Sequence, residues 1–427
     1  MAKVVKLERP TKSGRKAQPQ RSTSARRRPR QSRTALVLGG GGFTGGVYEI
    51  GALRALDLLA VNRTVNQFDV YVGTSAGSFV ASLTANGVTP EEMMRVVNQQ
   101  VPTPFRDIDL STLLRPNYLD FVRSLALLPL RSLGVVRTMF ANLGQVSVMD
   151  LAVGLAEGLP PGLYDGGSLQ KYVEDVLSDP DRSNDFRLLQ NELFLTATDL
   201  DTCERIVLGG EDWDDVPISR AVAASTALPM VYKPVEIKGR HLVDGGIRST
   251  TNVDVAVEQG AKFIIVVNPL VPYVNDFQKV IPTMWGSRVR RVADMGFPQV
   301  GYQAFKLLAH QRLHEAVRNW EKKYPGVDII LIEPEPNDEL MFHTNILNYT
   351  KRLEIARHGF ESVTLRLAKE YDELRAICAK HGIEISATRV RKVLKHMERE
   401  REKTRAWRRV LEQTTGALLR QSASEEG

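Results

Sequence analysis

Cysteine is nearly absent from this 427-residue chain, which contains only Cys203 and Cys378, far apart in sequence. This scarcity excludes a disulfide scaffold and a cysteine-ligated metal site, and it fits a reducing compartment. A bilayer span is also missing, because none of the apolar runs approaches about 18–20 residues; the closest, Phe263–Val274, contains Pro269 and Pro272. The basic N-terminus is not followed by an apolar segment, so no signal peptide is predicted. We expect a cytoplasmic protein that is soluble or peripheral to a membrane.

Positive charge is concentrated towards both ends of the chain. Residues 1–33 carry a net charge of +11 and residues 386–420 a net charge of +7, whereas residues 34–385 carry −9. The first 33 residues also have almost no aromatic or β-branched side chains, which predicts a disordered basic tail. Basic ends on an acidic body favour contact with anionic membrane surfaces. Specific nucleic-acid binding is not predicted, since basic tails bind polyanions without specificity.

The rest of the chain has the composition of a globular protein, with 43% hydrophobic residues. From Thr34 onward, short apolar strands alternate with helical patterns, which indicates an α/β fold with a parallel or mixed sheet covered by helices on both faces. Residues 105–165 break this alternation and predict an inserted helical cap within a domain spanning 34–345. Residues 346–427 predict a basic, helical C-terminal region, whose broken apolar stripe favours docking on the body or self-association.

A glycine-rich loop, Gly39–Gly46, lies between the first predicted strand and the helix that follows it. Glycine lets the backbone turn sharply and point several amides at one place, and the helix N-terminus adds positive partial charge. The loop therefore predicts an anion-binding site.

The same loop matches G-x-G-x-x-G through Gly40, Gly42 and Gly45, so a dinucleotide-binding oxidoreductase is one alternative. Asp57 and Asp69 then lie at loosely acceptable distances for a ribose contact. A Walker-type phosphate loop is excluded, because no Lys-Ser/Thr pair follows at the required spacing.

A second motif, Gly73–Gly77, reads G-x-S-x-G and follows a predicted strand directly. Between a strand and a helix this pattern forms a tight elbow that presents the central hydroxyl, here that of Ser75, at the edge of the sheet. Ser75 is therefore the candidate nucleophile, and the amides of the glycine loop gain a role in stabilising an oxyanion.

Ser75 needs a general base within hydrogen-bond reach. None of the seven histidines lies in a strand-end loop after a convincing acid. His310 and His314, one helical turn apart, are interpreted as surface residues, with metal ligation as the alternative. The better candidate is Asp244 in Val243–Gly246, since a desolvated carboxylate with a raised pKa can act as a base.

Taken together, these motifs resemble the patatin-like phospholipase family. The signatures occur in family order: the glycine loop, the serine elbow, and an Asp-Gly-Gly motif formed by Asp244, Gly245 and Gly246. Residues 224–235 also resemble the segment that precedes the family's aspartate. The resemblance covers about residues 34–270 and implies a three-layer α/β/α fold with a central, mostly parallel sheet, followed here by a helical C-terminal extension.

The resemblance implies that Ser75 is the nucleophile and Asp244 the proton acceptor of a catalytic dyad. The amides of Gly40, Gly41 and Gly42 would form the oxyanion hole, with no metal and no cofactor. The implied substrates are phospholipids or other acyl-lipid esters.

One position departs from the family pattern. Thr44 stands just before Gly45, where the family usually has Arg or Lys, and this change is expected to weaken the oxyanion pocket or alter head-group preference. A lipid-binding or scaffold protein with a weakened site is therefore a second alternative.

Overall fold

The computed structural model describes residues 32–98, 115–124, 126, 159–274, 281–282, 288–338, 340–341 and 351–399. The predicted basic tail therefore lies outside the described residues except for its last two. Most of the predicted cap (105–165) and the end of the basic C-terminal region (400–427) also lie outside them.

Twelve strands form the β-structure of these residues. They are β1 (Thr34–Leu38), β2 (Val70–Thr74), β3 (Gly162–Tyr164), β4 (Glu192–Asp199), β5 (Arg205–Leu208), β6 (Met230–Tyr232), β7 (Val235–Ile237), β8 (Arg240–Asp244), β9 (Phe263–Val267), β10 (Ile281–Pro282), β11 (Arg288–Val289) and β12 (Asp328–Ile332). Eight of them build one sheet in the order β12-β9-β1-β2-β4-β8-β7, with β5 paired to β4. The strands from β12 to β4 are parallel; β5 and β8 each pair antiparallel with β4, and β7 pairs antiparallel with β8.

Nine helices with printed bounds surround the sheet in the described part of the chain, and further helical residues occur at 118–124, 126, 340–341 and 387–399. They are α1 (Gly42–Leu59), α2 (Ala76–Ala85), α3 (Pro90–Asn98), α4 (Gly167–Leu177), α5 (Ile218–Ser225), α6 (Val253–Glu258), α7 (Phe297–Lys323), α8 (Arg352–Lys369) and α9 (Tyr371–Lys380).

The core lies on both faces of the sheet. Every residue of β1, β2 and β9 is buried, as expected for parallel strands covered on both sides. Because side chains alternate along a strand, Leu36 and Leu38 join the cluster under α1 and α2, whereas Ala35 and Val37 join the cluster under α6 and α7. The predicted mostly parallel sheet with helices on both faces is confirmed.

The C-terminal helices pack directly on this core. Helices α1 and α8 cross at two glycines: a Cβ on Gly51 would overlap the Ala356 carbonyl, and one on Gly359 would lie 2.5 Å from the Tyr48 carbonyl oxygen. Farther along, Val390 and Met397 are buried. The predicted docking of the apolar stripe is therefore observed for the part of it that lies within the described residues.

Candidate active site

One edge of β4 brings the two candidate catalytic residues together. β2 runs parallel to residues 192–196 of β4, and β8 runs antiparallel to residues 197–199. Both strands lie on the same edge, because β5 pairs with residues 195–198 along the other. Consequently β2 and β8 approach each other end to end, and Ser75, just after β2, meets Asp244, the last residue of β8.

The elbow between β2 and α2 holds Ser75 in a strained backbone conformation. Its φ of 55° and ψ of −127° lie outside the regions that non-glycine residues usually occupy. The flanking glycines make this turn possible, since a Cβ on Gly77 would lie 2.5 Å from the carbonyl oxygens of Leu38 and Gly39. The predicted strand–elbow–helix arrangement is thus present in the structure.

Within this arrangement the Ser75 hydroxyl donates a hydrogen bond of 2.6 Å to Oδ2 of Asp244. Both residues are buried, with 7% of Ser75 and 4% of Asp244 exposed. The other carboxylate oxygen of Asp244 accepts the Gly246 amide at 2.7 Å. Burial raises the pKa of Asp244 to about 6, against the opposing effect of these two hydrogen bonds. Such a carboxylate is ionised at neutral pH yet basic enough to accept a proton.

Polar side chains from three further elements support the elbow. The Ser75 amide donates to Oγ of Ser225 at 2.9 Å, and that hydroxyl donates to the Thr196 carbonyl at 2.7 Å. On the other side, Nδ2 of Asn252 donates to the hydroxyls of Thr74 at 2.9 Å and Thr196 at 3.1 Å. The sequence motifs assign no role to Ser225 or Asn252. Ser225 is a polar residue after an apolar run, whereas Asn252 ends a run of polar residues and gives no such signal.

The glycine loop lies against the same serine. A Cβ on Gly40 would be 3.1 Å from Cβ of Ser75 and 3.6 Å from its Oγ. Helix α1 begins at Gly42, earlier than the sequence pattern suggests, and the Gly45 amide donates to the Gly41 carbonyl at 3.0 Å. Within the described residues, the amides of Gly40, Gly41 and Gly42 have no acceptor. They are therefore available to an anion near Ser75.

A buried acid lies about two turns into α1. Glu49 is fully buried, and neither of its carboxyl oxygens has a hydrogen-bond partner among the described residues. Burial raises its pKa well above the usual range, an effect that the nearby Gly39 amide offsets only in part. Thr44, at the position where the family resemblance suggests a cation, is buried as well.

The two acids required by the dinucleotide alternative lie elsewhere. Oδ2 of Asp69 accepts the amide and hydroxyl of Thr34, both at 2.8 Å, at the amino ends of β1 and β2. Oδ1 of Asp57 accepts a hydrogen bond from the Val65 amide at 2.6 Å, near the C-terminal end of α1. The glycine loop lies at the opposite edge of the sheet, so neither acid is placed to contact a ribose beside it.

Histidines do not complete the candidate site. Among the residues that the structure describes, none of the histidines forms a hydrogen bond with Ser75 or Asp244. His314 lies instead 3.0 Å from Glu333, and His241 faces Asp201 at 3.6 Å. The arrangement is a serine–aspartate pair beside a cluster of free backbone amides, which is suited to acyl transfer.

Comparisons with known proteins point to one family. A family model described as Patatin-like phospholipase matches residues 36–257, just over half of the chain. The chain is 26% identical over 225 residues to Uncharacterized protein YqhO of Bacillus subtilis (strain 168), covering 48% of this chain and 64% of that protein. It is 23% identical over 229 residues to Probable lipid hydrolase 463L of Invertebrate iridescent virus 6, covering 52% and 63% respectively.

These matches thus span less than two thirds of either curated relative. Among solved structures, VipD from Legionella pneumophila is 15% identical, covering 80% of this chain and 67% of that chain, with a TM-score of 0.35. Of the helices in the described residues, none combines the length and apolarity needed to cross a bilayer.

Proposed function

Because this chain belongs to the patatin-like phospholipase family, we propose that it is a serine lipid acyl hydrolase that cleaves ester bonds of phospholipids or other acyl lipids. The observation that carries the proposal is the 2.6 Å hydrogen bond between Ser75 and Asp244 inside a buried site. The hydroxyl and its base are already in contact, and no third residue is needed to bridge them.

In the first half of the reaction, Asp244 accepts the hydroxyl proton as Oγ of Ser75 attacks the ester carbonyl carbon. The carbonyl oxygen becomes an oxyanion, which the amides of Gly40, Gly41 and Gly42 stabilise. Collapse of this intermediate breaks the bond to the alcohol, which leaves with the proton held by Asp244. The acyl group remains as an ester on Ser75.

In the second half, Asp244 takes a proton from water as that water attacks the acyl-serine. The second oxyanion collapses, Ser75 recovers its proton, and the fatty acid leaves. The strained turn at Ser75 keeps Oγ fixed through both halves, so little reorganisation is required in either step.

Lipid substrates fit the surface next to the dyad and the charge of the whole chain. The Asp244 amide donates to the Ala227 carbonyl at 2.9 Å, and three residues farther on Met230 is 80% exposed. An exposed apolar side chain three residues from a hydrogen-bond partner of Asp244 is suited to acyl-chain contact. The basic segments 1–33 and 386–420 would add attraction to anionic membranes from the cytoplasmic side.

Active-site labelling with a fluorophosphonate probe tests the dyad, because such a probe reacts with activated serines. We expect wild type to be labelled, Ser75→Ala to lose all labelling, and Asp244→Asn to lose nearly all of it. Ser178→Ala is the matched control, since within the described residues its hydroxyl bonds only the Glu174 carbonyl, at the exposed end of α4. Wild type should then release fatty acid from phospholipid vesicles, and Ser75→Ala should not.

Folded wild type that is labelled neither in solution nor on vesicles would overturn the hydrolase proposal and favour the lipid-binding alternative. Vesicle sedimentation at low and high salt tests the membrane contact separately. We expect binding to anionic vesicles to fall as salt increases, because salt screens the attraction. Equal binding to neutral and anionic vesicles would contradict that part of the proposal.

A further inference from the structure

Three residues follow directly after neighbouring parallel strands on the glycine-loop side of the sheet. Gly39 follows β1, Asn268 follows β9, and Glu333 follows β12. The Gly39 amide donates to the Val267 carbonyl and the Asn268 amide to the Ile332 carbonyl, both at 2.9 Å, so the ladder extends past the strand ends. Glu333 is thereby held at the carboxyl edge of the sheet.

Helix α7 places two histidines over this carboxylate. His310 and His314 are four residues apart on one helix face, and their ring centroids are 4.0 Å apart. Nε2 of His314 lies 3.0 Å from Oε2 of Glu333. One ligand atom from each of the three residues can be chosen so that all lie within 4.8 Å of one another. The three side chains are partly buried and not simply part of a solvated surface.

We propose that His310, His314 and Glu333 bind a divalent transition-metal ion such as Zn²⁺. Zinc binds imidazole nitrogen and carboxylate oxygen at about 2.0–2.2 Å, which places tetrahedral ligand atoms about 3.3–3.5 Å apart. The His314–Glu333 separation is already close to that value, so small side-chain rotations suffice to close the site.

A second layer of contacts holds the carboxylate in place. Nδ2 of Asn268 donates to Oε1 of Glu333 at 2.7 Å, and Asn268 is only 1% exposed. Hydrogen bonding of this kind orients a metal-ligating carboxylate and leaves its other oxygen for the ion. With three protein ligands, the fourth tetrahedral position is open to water or an anion.

The donor set selects the class of ion. Two imidazoles with one carboxylate suit zinc and neighbouring transition metals, whereas Mg²⁺ and Ca²⁺ prefer oxygen ligands. The expected order of affinity is therefore Zn²⁺ and Co²⁺ well above Mg²⁺ and Ca²⁺.

This site is separate from the serine–aspartate pair. Three strand spacings of about 4.8 Å each separate the end of β12 from the end of β2, which puts Glu333 roughly 14 Å from Ser75. The ion therefore contacts neither member of the dyad, and the proposal does not depend on hydrolase activity. The direct effect of the bound ion is to link α7 to the end of β12.

Metal titration of the full chain tests the proposal. Protein dialysed against a chelator and then against metal-free buffer is titrated with Co²⁺, whose visible absorption reports coordination by protein nitrogen and oxygen, and with Zn²⁺ by calorimetry. We expect one equivalent to bind and the thermal midpoint to rise with Zn²⁺. In His310→Ala and His314→Ala the Zn²⁺ affinity should fall at least about tenfold. Glu333→Gln keeps the size of the side chain but removes its charge, and its Zn²⁺ affinity should fall by a similar factor.

His241→Ala is the matched control, because His241 is an exposed histidine that also faces a carboxylate, and no group of three metal-ligating residues is found around it in the part of the chain that the structure describes. Its Zn²⁺ affinity should equal that of wild type. Far-UV circular dichroism and the metal-free thermal midpoint establish that each variant is folded. Failure of wild type to bind Zn²⁺, or equal affinity in folded His310→Ala, His314→Ala and wild type, would overturn the proposal.

Discussion

The hydroxyl of Ser225 accepts the amide hydrogen of Ser75 at 2.9 Å, and this bond ties α5 to the strained elbow. The same hydroxyl donates its proton to the Thr196 carbonyl of β4 at 2.7 Å, so it acts as acceptor in one hydrogen bond and as donor in the other. Ser225 is fully buried, and water cannot easily replace it. The positive φ of Ser75 is therefore maintained from outside the elbow itself.

Ser225→Ala is expected to lower the free energy of unfolding by about 1–3 kcal/mol, because it leaves the buried Ser75 amide and the Thr196 carbonyl without this partner. Fluorophosphonate labelling should also become slower, since the elbow loses one of its restraints. Urea unfolding measures the first effect and labelling kinetics the second. Ser178→Ala, which removes a solvent-exposed hydroxyl, should change neither, and wild-type kinetics in Ser225→Ala would contradict the assigned positioning role.

The rate of labelling should depend on the ionisation of Asp244. Only the carboxylate can accept the Ser75 proton, and burial raises its pKa to about 6. We expect the rate to be constant above pH 7 and to fall about tenfold per unit as the pH drops below 6. A rate that persists unchanged down to pH 4.5 in folded protein would exclude Asp244 as the base. Circular dichroism at each pH monitors folding.

The ionised form of Asp244 should also lower the free energy of unfolding at neutral pH. Its folded pKa of about 6 lies above the value of about 3.9 in an unfolded chain, so the folded state binds the proton more tightly. The stability that the protonated form contributes is complete below about pH 4 and is lost as the pH rises through 6. Asp244→Asn, which cannot ionise, should therefore gain about 2–3 kcal/mol relative to wild type between pH 4 and pH 8. Urea unfolding of both proteins across this range measures the difference, and a pH-independent difference would contradict it.

The parts of this fold that depend on local patterns were predictable from the sequence. β1 and β9 are unbroken apolar runs found at the predicted residues, and the serine elbow requires only neighbouring glycines. The contacts that complete the candidate site are non-local. Neither the end-to-end approach of β2 and β8 nor the hydrogen bond from the Ser75 amide to Ser225, 150 residues away, leaves a periodic signal in the sequence.

A similar non-local contact explains why the C-terminal region packs so tightly on the core. The backbones of α1 and α8 meet at Gly51 and Gly359, which have no side chains to separate them. Periodicity predicts both helices but not which residue of one touches which residue of the other. Only the absence of a Cβ at both positions hints at the crossing.

Gly51→Ala should weaken this crossing. Its Cβ would lie 2.7 Å from the Phe360 amide nitrogen and overlap the Ala356 carbonyl, and backbone atoms cannot rotate away. We expect a loss of about 1–3 kcal/mol in the free energy of unfolding, as in other overpacked cores. Thermal and urea unfolding measure it. A variant as stable as wild type would show that α8 moves aside at little cost.

Gly40→Ala tests the closeness of the glycine loop to the nucleophile. The added methyl carbon would lie 3.1 Å from Cβ of Ser75 and 3.6 Å from its Oγ, so the serine side chain or the loop must move by a few tenths of an ångström. A misplacement of about 1 Å between reacting groups costs on the order of 100-fold in rate. We therefore expect labelling to slow by about 10- to 100-fold, with far-UV circular dichroism unchanged.

Gly301→Ala provides the matched control for that substitution, because a Cβ at this position in α7 would meet no atom within 4 Å. It should leave labelling unchanged and stabilise the helix by about 0.5–1 kcal/mol, since alanine favours helix more than glycine does. The comparison separates the general effect of an added methyl from its effect beside Ser75. If Gly40→Ala were labelled as fast as Gly301→Ala, the loop would not constrain the nucleophile, and the oxyanion role of the amides from Gly40 to Gly42 would lose its structural basis.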